Sequence, residues 1–242
     1  NGSGLGEFTC NLTDLQDGTT YYIRAYAVNA KGIAYGEEVR FTTKERYYEN
    51  GYEYINLGLS VKWATMNVGA SKPEDYGDYF AWGETEPKEV YDWSTYNYCY
   101  GRYNTLTKYN TSSSHGTIVD NKTQLESSDD AARANWGGSW RMPTDAELTE
   151  LRKQCTWTWT TQNGKNGYKV TSKKNGNSIF LPAAGYRYDS SLDYAGSYGN
   201  YWSSSLNTDY PDYARDVYFG SGLVDRDYYY RYQGQSVRPV CP

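Results

Sequence analysis

The sequence predicts an α+β chain with few helices and many short antiparallel strands, preceded by a separate β-hairpin. Three observations lead there. Short segments that alternate apolar and polar residues are separated by Asn- and Gly-rich turns. Only two stretches carry helix-start signals. The composition is aromatic yet polar, with Tyr 29, Trp 8, Gly 24, Met 2 and a mean hydropathy of -0.87. That profile suits β-rich domains with long irregular loops, in which tyrosine rings cover apolar surface while their hydroxyls stay hydrated. At 242 residues the chain has room for one large domain or a medium one with an appendage.

The first elements are strands. Thr19-Thr-Tyr-Tyr-Ile-Arg-Ala-Tyr-Ala-Val28 alternates, Asn29-Ala-Lys-Gly32 turns, and Ala34 to Thr43 runs back, a hairpin by period and turn chemistry. The alternation ends at Lys44, so residues 1–44 form one segment, 45–51 a polar linker, and 52–242 the main domain. Its first strand is expected at Leu59-Ser-Val-Lys-Trp-Ala64, followed by a Gly- and Tyr-rich stretch, mostly loop, to about Leu125.

Two helices follow. Ser128-Asp-Asp-Ala-Ala-Arg-Ala-Asn135 opens with cap-type and acidic residues and stops before Gly137-Gly138. In the second, Thr144 and Glu147 form a capping box after Pro143. Asp145 and Glu147 suit the N-terminal dipole, and Arg152 and Lys153 the C-terminal one. Leu148, Leu151 and Cys155 share its buried face. Beyond it, Thr156–Thr161, Tyr168–Ser172, Ser178–Leu181, Tyr201–Ser205, Ala214–Phe219 and Gln235–Val240 read as strands, with turns at 162–167 and 175–177.

Several chemistries lack material. Net charge is -5 without long runs of one sign, so no nucleic-acid footprint is expected. No stretch is apolar enough to span a bilayer. The start, Asn1-Gly-Ser-Gly4, lacks the parts of a signal peptide and reads as a processed or truncated end. Cys10, Cys99, Cys155 and Cys241 contain no CxxC, which leaves a Cys155–Cys241 bridge or buried free thiols as alternatives. His115 is the only histidine and sits in the Ser112-Ser-Ser-His-Gly116 loop, so it is expected to be solvated. A Ser-His-Asp triad or multi-histidine metal centre has almost nothing to build on. Asp and Glu total 29, so the two carboxylates of a glycosidase cannot be singled out by their presence. No glycine-rich nucleotide loop occurs.

The C-terminal stretch is the oddest. Asp209, Tyr210, Asp212, Tyr213, Arg215, Asp216, Tyr218, Asp225, Arg226, Asp227, Tyr228, Tyr229, Tyr230, Arg231 and Tyr232 crowd together without a helical or strict strand period. Few of them are expected to be buried, over a fixed core of Trp202, Phe219 and Val237. Exposed Tyr, Arg and Asp on a rigid frame make a binding surface, since the rings supply contact area at little entropic cost. The competing reading is a tyrosine-rich loop packed on itself.

Two resemblances add to this reading. Leu15-Gln-Asp-Gly-Thr-Thr-Tyr21 resembles the tyrosine corner of a fibronectin type III domain, in which the hydroxyl returns to the backbone a few residues earlier. The likeness covers residues 8–43, only the last strands of such a sandwich, so it implies a removed front half or a hairpin that packs on the next domain. Trp140-Arg-Met-Pro-Thr144, Gly199-Asn-Tyr-Trp-Ser-Ser204 and Ser236-Val-Arg-Pro-Val240 resemble the C-type lectin-like fold, in the branch of formylglycine-generating enzymes and retroelement variable proteins. Leu57-Gly-Leu-Ser-Val-Lys-Trp-Ala64, Tyr76-Gly-Asp-Tyr-Phe-Ala-Trp-Gly83 and Asn135-Trp-Gly-Gly-Ser-Trp140 resemble the Fibrobacter succinogenes major paralogous domain over residues 50–242.

These resemblances imply a C-type lectin-like domain of a secreted or surface-displayed Bacteroidetes protein. Its ligand, a protein or glycan on a cell or phage surface, would be held by a variable segment at Asn207–Gln233, diversified by a retroelement. The expected ligand-binding residues are Tyr210, Asp212, Tyr213, Arg215, Asp216, Tyr218, Asp225, Arg226, Asp227, Tyr228, Tyr229, Tyr230 and Tyr232, with no catalytic residue and no cofactor. The cysteine pair of the formylglycine enzymes has no counterpart, because Cys155 and Cys241 are far apart. Glu86-Pro87-Lys88 puts a cation where the sugar-binding triplet needs Asn, which leaves a structural calcium among Asp75, Asp78 and Glu84 as the remaining metal expectation. Two further function classes stay open: a carbohydrate-active enzyme or accessory domain stacking sugars on Trp82, Trp93 and Trp157, and a structural spacer.

Overall fold

A computed structural model describes residues 6–242. The chain divides into two compact units, the first ending at Tyr47 and the second running from Tyr48 to Pro242, a division that falls within the 45–51 linker.

In the first unit, β1 (Thr20–Asn29) and β2 (Gly32–Thr42) pair antiparallel from Thr20↔Thr42 to Asn29↔Gly32. Asn29 Oδ1 accepts from the Lys31 N–H at 2.8 Å and closes the turn. The Tyr21 hydroxyl accepts from the Gln16 N–H at 2.8 Å, a return to the backbone five residues upstream. Nearly every residue of both strands is exposed.

β3 (Tyr47–Glu49) starts at the division, and β4 (Tyr52–Ile55) and β5 (Lys62–Ala64) follow in the second unit. After a long irregular stretch come α1 (Ala131–Trp136), α2 (Asp145–Gln154), β6 (Cys155–Gln162), β7 (Lys165–Ser172), β8 (Ser178–Pro182) and β9 (Tyr186–Tyr188). The chain ends with β10 (Ser191–Asp193), β11 (Tyr198–Leu206), β12 (Tyr213–Gly220), β13 (Leu223–Tyr230) and β14 (Val240–Cys241). The sheets run β14-β5-β4-β3, β6-β7-β8, β10-β9 and β11-β12-β13. β6 and β7 turn at Asn163-Gly164, whose φ values of 46° and 81° are those a two-residue hairpin needs. The turn expected over 162–167 is therefore two residues long, and both strands are longer than their alternation suggested.

The expected fold class is corrected here. Among the described residues stand fourteen strands and two α-helices, of six and ten residues. Residues read as linker or loop, in β3, β9, β10 and β13, turn out to pair. The architecture is mainly β, a set of small sheets with antiparallel ladders, and the α+β, C-type lectin-like assignment does not stand. The α2 signals are realised: Thr144 accepts from the Glu147 N–H while Glu147 accepts from the Thr144 N–H, and Leu148 and Leu151 are buried.

The long segment between β5 and α1 is held by aromatic side chains that act as hydrogen-bond donors. Trp82 Nε1 donates to Ser203 O and Trp202 Nε1 to Phe80 O, both at 2.8 Å. The hydroxyls of Tyr79, Tyr91 and Tyr96 donate to the carbonyls of Ala184, Tyr79 and Trp82 at 2.6, 2.6 and 2.7 Å. A buried carbonyl left unpaired costs about 1–3 kcal/mol, so each ring both fills the core and satisfies irregular backbone. Arg231 and Arg238, fully buried, do the same with guanidinium groups. Arg231 donates to Tyr109, Pro211 and Lys108 carbonyls and the Tyr96 hydroxyl, with Trp82 stacked 4.9 Å away. Its expected exposure is thus reversed, because it replaces the missing strand partners of three loops.

All four cysteines are free. Cys155 sits beside Leu148 and Leu151 in one core cluster and Cys241 beside Trp140 and Met142 in another, so the bridge alternative falls to buried thiols. Burial pushes the Cys155 thiol up to about 11. No helix among the described residues is long and apolar enough to cross a membrane.

Candidate ligand-binding surface

The strand expected at Ala214–Phe219 is β12, and the residues after it, not read as a strand, form β13 and close a hairpin with it, in register from Tyr213↔Tyr230 to Gly220↔Leu223. Directly opposed residues share a face, so the ten expected site residues that lie in the two strands separate onto two faces, Tyr210, Asp212 and Tyr232 flank them, and several of the thirteen are taken up by the fold.

On one face, Tyr213 and Tyr230 lie opposite each other and Arg215 opposite Tyr228. The Tyr213 and Tyr230 rings stack with centroids 4.2 Å apart, Tyr230 stacks on Tyr232 at 5.5 Å, and Tyr228 meets Tyr213 edge-on at 5.3 Å and Tyr210 in a stack at 6.4 Å. These rings form one continuous strip. Arg215 lies over the Tyr228 ring at 5.4 Å and donates to Asn207. Tyr210, Tyr228 and Tyr230 remain 55%, 41% and 36% exposed, which gives the strip a solvent face. Burial pushes the Tyr213 hydroxyl well above its ordinary range, and the Tyr230 hydroxyl adds to it.

The other face carries Asp216 opposite Asp227 and Ala214 opposite Tyr229. Around them Tyr218, Tyr198, Tyr194, Tyr186 and Tyr229 form a chain of ring contacts between 5.2 and 5.9 Å. Asp216 is 1% exposed, corrected from its expected surface position because β12 is the central strand of its sheet. Burial first, then the Asp227 carboxylate, raise its carboxyl well above the usual range, against the one hydrogen bond it accepts, from Asn200 Nδ2 at 3.4 Å.

Four more expected residues serve the scaffold. Asp212 is buried against His115, whose Nε2 lies 3.3 Å from Asp212 Oδ1. His115 is therefore no solvated loop residue, and Ser114 Oγ, also bonded to Ser112, is 3.0 Å from its Nδ1. Arg226 makes two bonds to Asp145 at 2.6 and 2.7 Å, and Asp225 pairs with Arg152, so both tie β13 to α2. Tyr232 is 7% exposed, its ring closing the inner end of the strip.

Of the rings considered for sugar stacking, Trp82 is fully buried and Trp157 packs on Tyr168 and Phe219. Only Trp93 of the three stands at a hollow, together with Tyr232, an expected ligand-binding residue, and with Asp92, Ser94, Tyr188 and Asp189, which the sequence did not single out. A larger hollow of about 550 Å³ lies beside α1, but its carboxylate, Asp130, is occupied by the N–H groups of Arg133 and Met142. Asp75, Asp78 and Glu84 are not grouped so as to hold a metal, and Glu84 is engaged by Lys88 and the Asn97 N–H. Among the described residues no three His, Cys, Asp or Glu side chains are placed to hold a metal.

Residues 143–240 match the family model of a domain of unknown function (DUF8237). No curated protein and no solved structure matches the chain. The matched region runs from α2 to β14 and so contains the whole β11-β12-β13 sheet and its tyrosine strip, while Trp93 and the segment before α2 lie outside it.

Proposed function

We propose that this chain is a binding module of a bacterial surface protein, and that it holds a protein or glycan ligand on the tyrosine strip Tyr210, Tyr228, Tyr213 and Tyr230. The observation that carries this reading is the strip itself: Tyr213, Tyr228 and Tyr230 on a regular hairpin pinned to α2 and Tyr210 beside it, in a chain of ring contacts, with three of the four one-third or more exposed. Rings held this way lose little entropy when a ligand covers them, and Arg215 at the edge supplies a directional donor. The same placement suits a surface whose residues change without loss of the fold, since the outer strip positions of β13 belong to an edge strand. Diversification by a retroelement is the part of the proposal that a near-copy of the DNA encoding Asn207–Gln233, differing only at adenines, would support.

Changing Tyr228 and Tyr230 together to Ala tests the binding reading. Each ring is partly exposed, so the expected result is loss of ligand capture from host or bacterial surface extracts and glycan arrays, with the melting temperature lowered by no more than about 4 °C. A double variant that captures the same ligands as the parent removes the strip from the interface, and a collapse of stability assigns the rings to packing.

A further inference from the structure

We infer that the hollow at the inner end of the strip, lined by Trp93, Tyr188, Tyr232, Asp92 and Asp189, is a binding site for an organic ammonium cation. Its volume is about 380 Å³, toward the small end of the roughly 300–1,000 Å³ of ligand pockets. Three aromatic side chains line it. Tyr232 lies 4.9 Å from Trp93 at an interplanar angle of 64°, and 6.1 Å from Tyr188 at 53°, so the rings enclose a corner instead of stacking flat.

Two carboxylates line the same hollow, and none of the ion pairs among the described residues uses either. Asp92 Oδ1 accepts from the Ser94 hydroxyl at 2.7 Å and the Thr95 N–H at 3.0 Å, which orients its carboxylate and keeps it ionised. Arg187, beside Tyr188 in β9, lies over the Tyr79 ring at 5.6 Å instead. Negative ring faces and unpaired acids in one corner complement a compact, weakly hydrated cation better than a neutral or anionic group.

The walls are built, not incidental. Tyr91 and Asp189 exchange backbone bonds at 2.9 Å each way, and Arg187 and Gly234 do so at 2.7 and 3.0 Å, so the segments bearing Asp92–Ser94, Tyr188–Asp189 and Tyr232 are fastened to one another. A side chain at Gly234 would start 2.5 Å from the Tyr91 ring, so the third segment can lie against the first only as glycine. Such preorganisation lowers the cost of ligand binding.

The test is titration calorimetry on the whole chain with choline, with its neutral isostere 3,3-dimethylbutan-1-ol, and with a peptide carrying one trimethyllysine. Choline is expected to bind saturably and the neutral isostere about tenfold more weakly or not at all, the loss of one desolvated cation–ring contact. The peptide separates a free amine from a protein-borne one: tighter binding than choline assigns the hollow to a partner's side chain, equal binding to the ammonium group alone. Trp93→Leu and Asp189→Asn should each weaken choline by about tenfold. The second variant keeps the fold, because Asn tolerates the φ of 52° at that position. Equal affinity for the neutral isostere, or unchanged choline binding in both variants, overturns the inference. Tyr228→Ala should leave choline binding intact, so failure of the strip reading and failure of this one are told apart.

Discussion

Asp216 is the residue whose chemistry departs furthest from its sequence neighbourhood. It faces Asp227 across the β12–β13 ladder, is influenced by Asp145, and accepts only from a neutral partner, Asn200 at 3.4 Å, with Tyr229 alongside. No cation offsets it, so burial holds the proton on in the folded state, while the unfolded chain releases it at about 3.9. The folded state then binds more protons than the unfolded one across the window above that value, and stability falls as pH rises until the folded group itself ionises. Changing Asp216 to Asn removes this contribution and retains an oxygen that can accept from Asn200. The urea midpoint of the variant should therefore exceed the parent's by a margin that grows from pH 4.5 to pH 7.5, at up to about 1.4 kcal/mol per pH unit. All eight tryptophans lie beyond residue 60, so their fluorescence follows the second unit alone. Parallel pH profiles for the two proteins would show that Asp216 is ionised in both states.

At the scale of elements, β13 decides how the surface is displayed. It is the edge strand of its sheet, bonded to β12 on one side and to α2 only through side chains, Arg226 to Asp145 and Asp225 to Arg152. Partly exposed pairs of this kind contribute up to about 1 kcal/mol, too little to govern global stability but enough to govern fraying of an edge. Arg226→Ala should accelerate amide exchange in Leu223–Tyr230 while exchange in β12 stays at the parent's rate, with the melting temperature lowered by no more than about 3 °C. Equal exchange in β13 with and without Arg226 would remove the pair from its positioning role.

The same strand explains what sequence patterning reveals here and what it hides. α2 is legible because its cap, dipole charges and Leu148–Leu151 spacing are all local. The β6–β7 hairpin is legible because Trp157 and Trp159 alternate with threonines around Asn163-Gly164. In β13, Leu-Val-Asp-Arg-Asp-Tyr-Tyr-Tyr has no alternation, because an edge strand half-exposed on both faces selects for none. The crowded tyrosines were thus visible as a composition, while their division into two faces, the burial of Asp212, Asp216 and Arg231, and the approach of Trp93 to Tyr232 depend on pairings that join distant parts of the chain. The pairing of His115 with Asp212, which overturned the expectation of a solvated histidine, is of the same kind.

At the scale of the whole molecule, the two units differ in how they could be stable. In the second, Trp63, Trp82, Trp140 and Trp202 are fully buried, each worth roughly the 1.5–3 kcal/mol of a large apolar side chain or more. The first has no comparable interior. Its hairpin leaves Tyr22, Tyr26, Val28, Ile33, Tyr35 and Val39 between 55% and 66% exposed. Its side-chain support is exposed and small in scale: the ring pairs Tyr21–Phe41 at 5.8 Å and Tyr26–Tyr35 at 6.3 Å, Arg40 over Tyr22, the Arg24–Glu38 and Arg46–Asp17 ion pairs, the Thr20–Thr42 hydroxyl bond, and the Tyr21 return to Gln16. A two-stranded hairpin with so little burial is marginal in water, because ordering each residue costs about 1–2 kcal/mol before any apolar area is removed. Residues 6–47 made as a separate peptide should accordingly show little strand signal by circular dichroism and no cooperative melt. Residues 48–242 should keep the parent's cooperative transition, within about 2 °C. A cooperative melt of the short peptide would mean that its exposed rings collapse into a core of their own. A large fall in the transition of the longer piece would mean that residues 6–47 contribute to its stability.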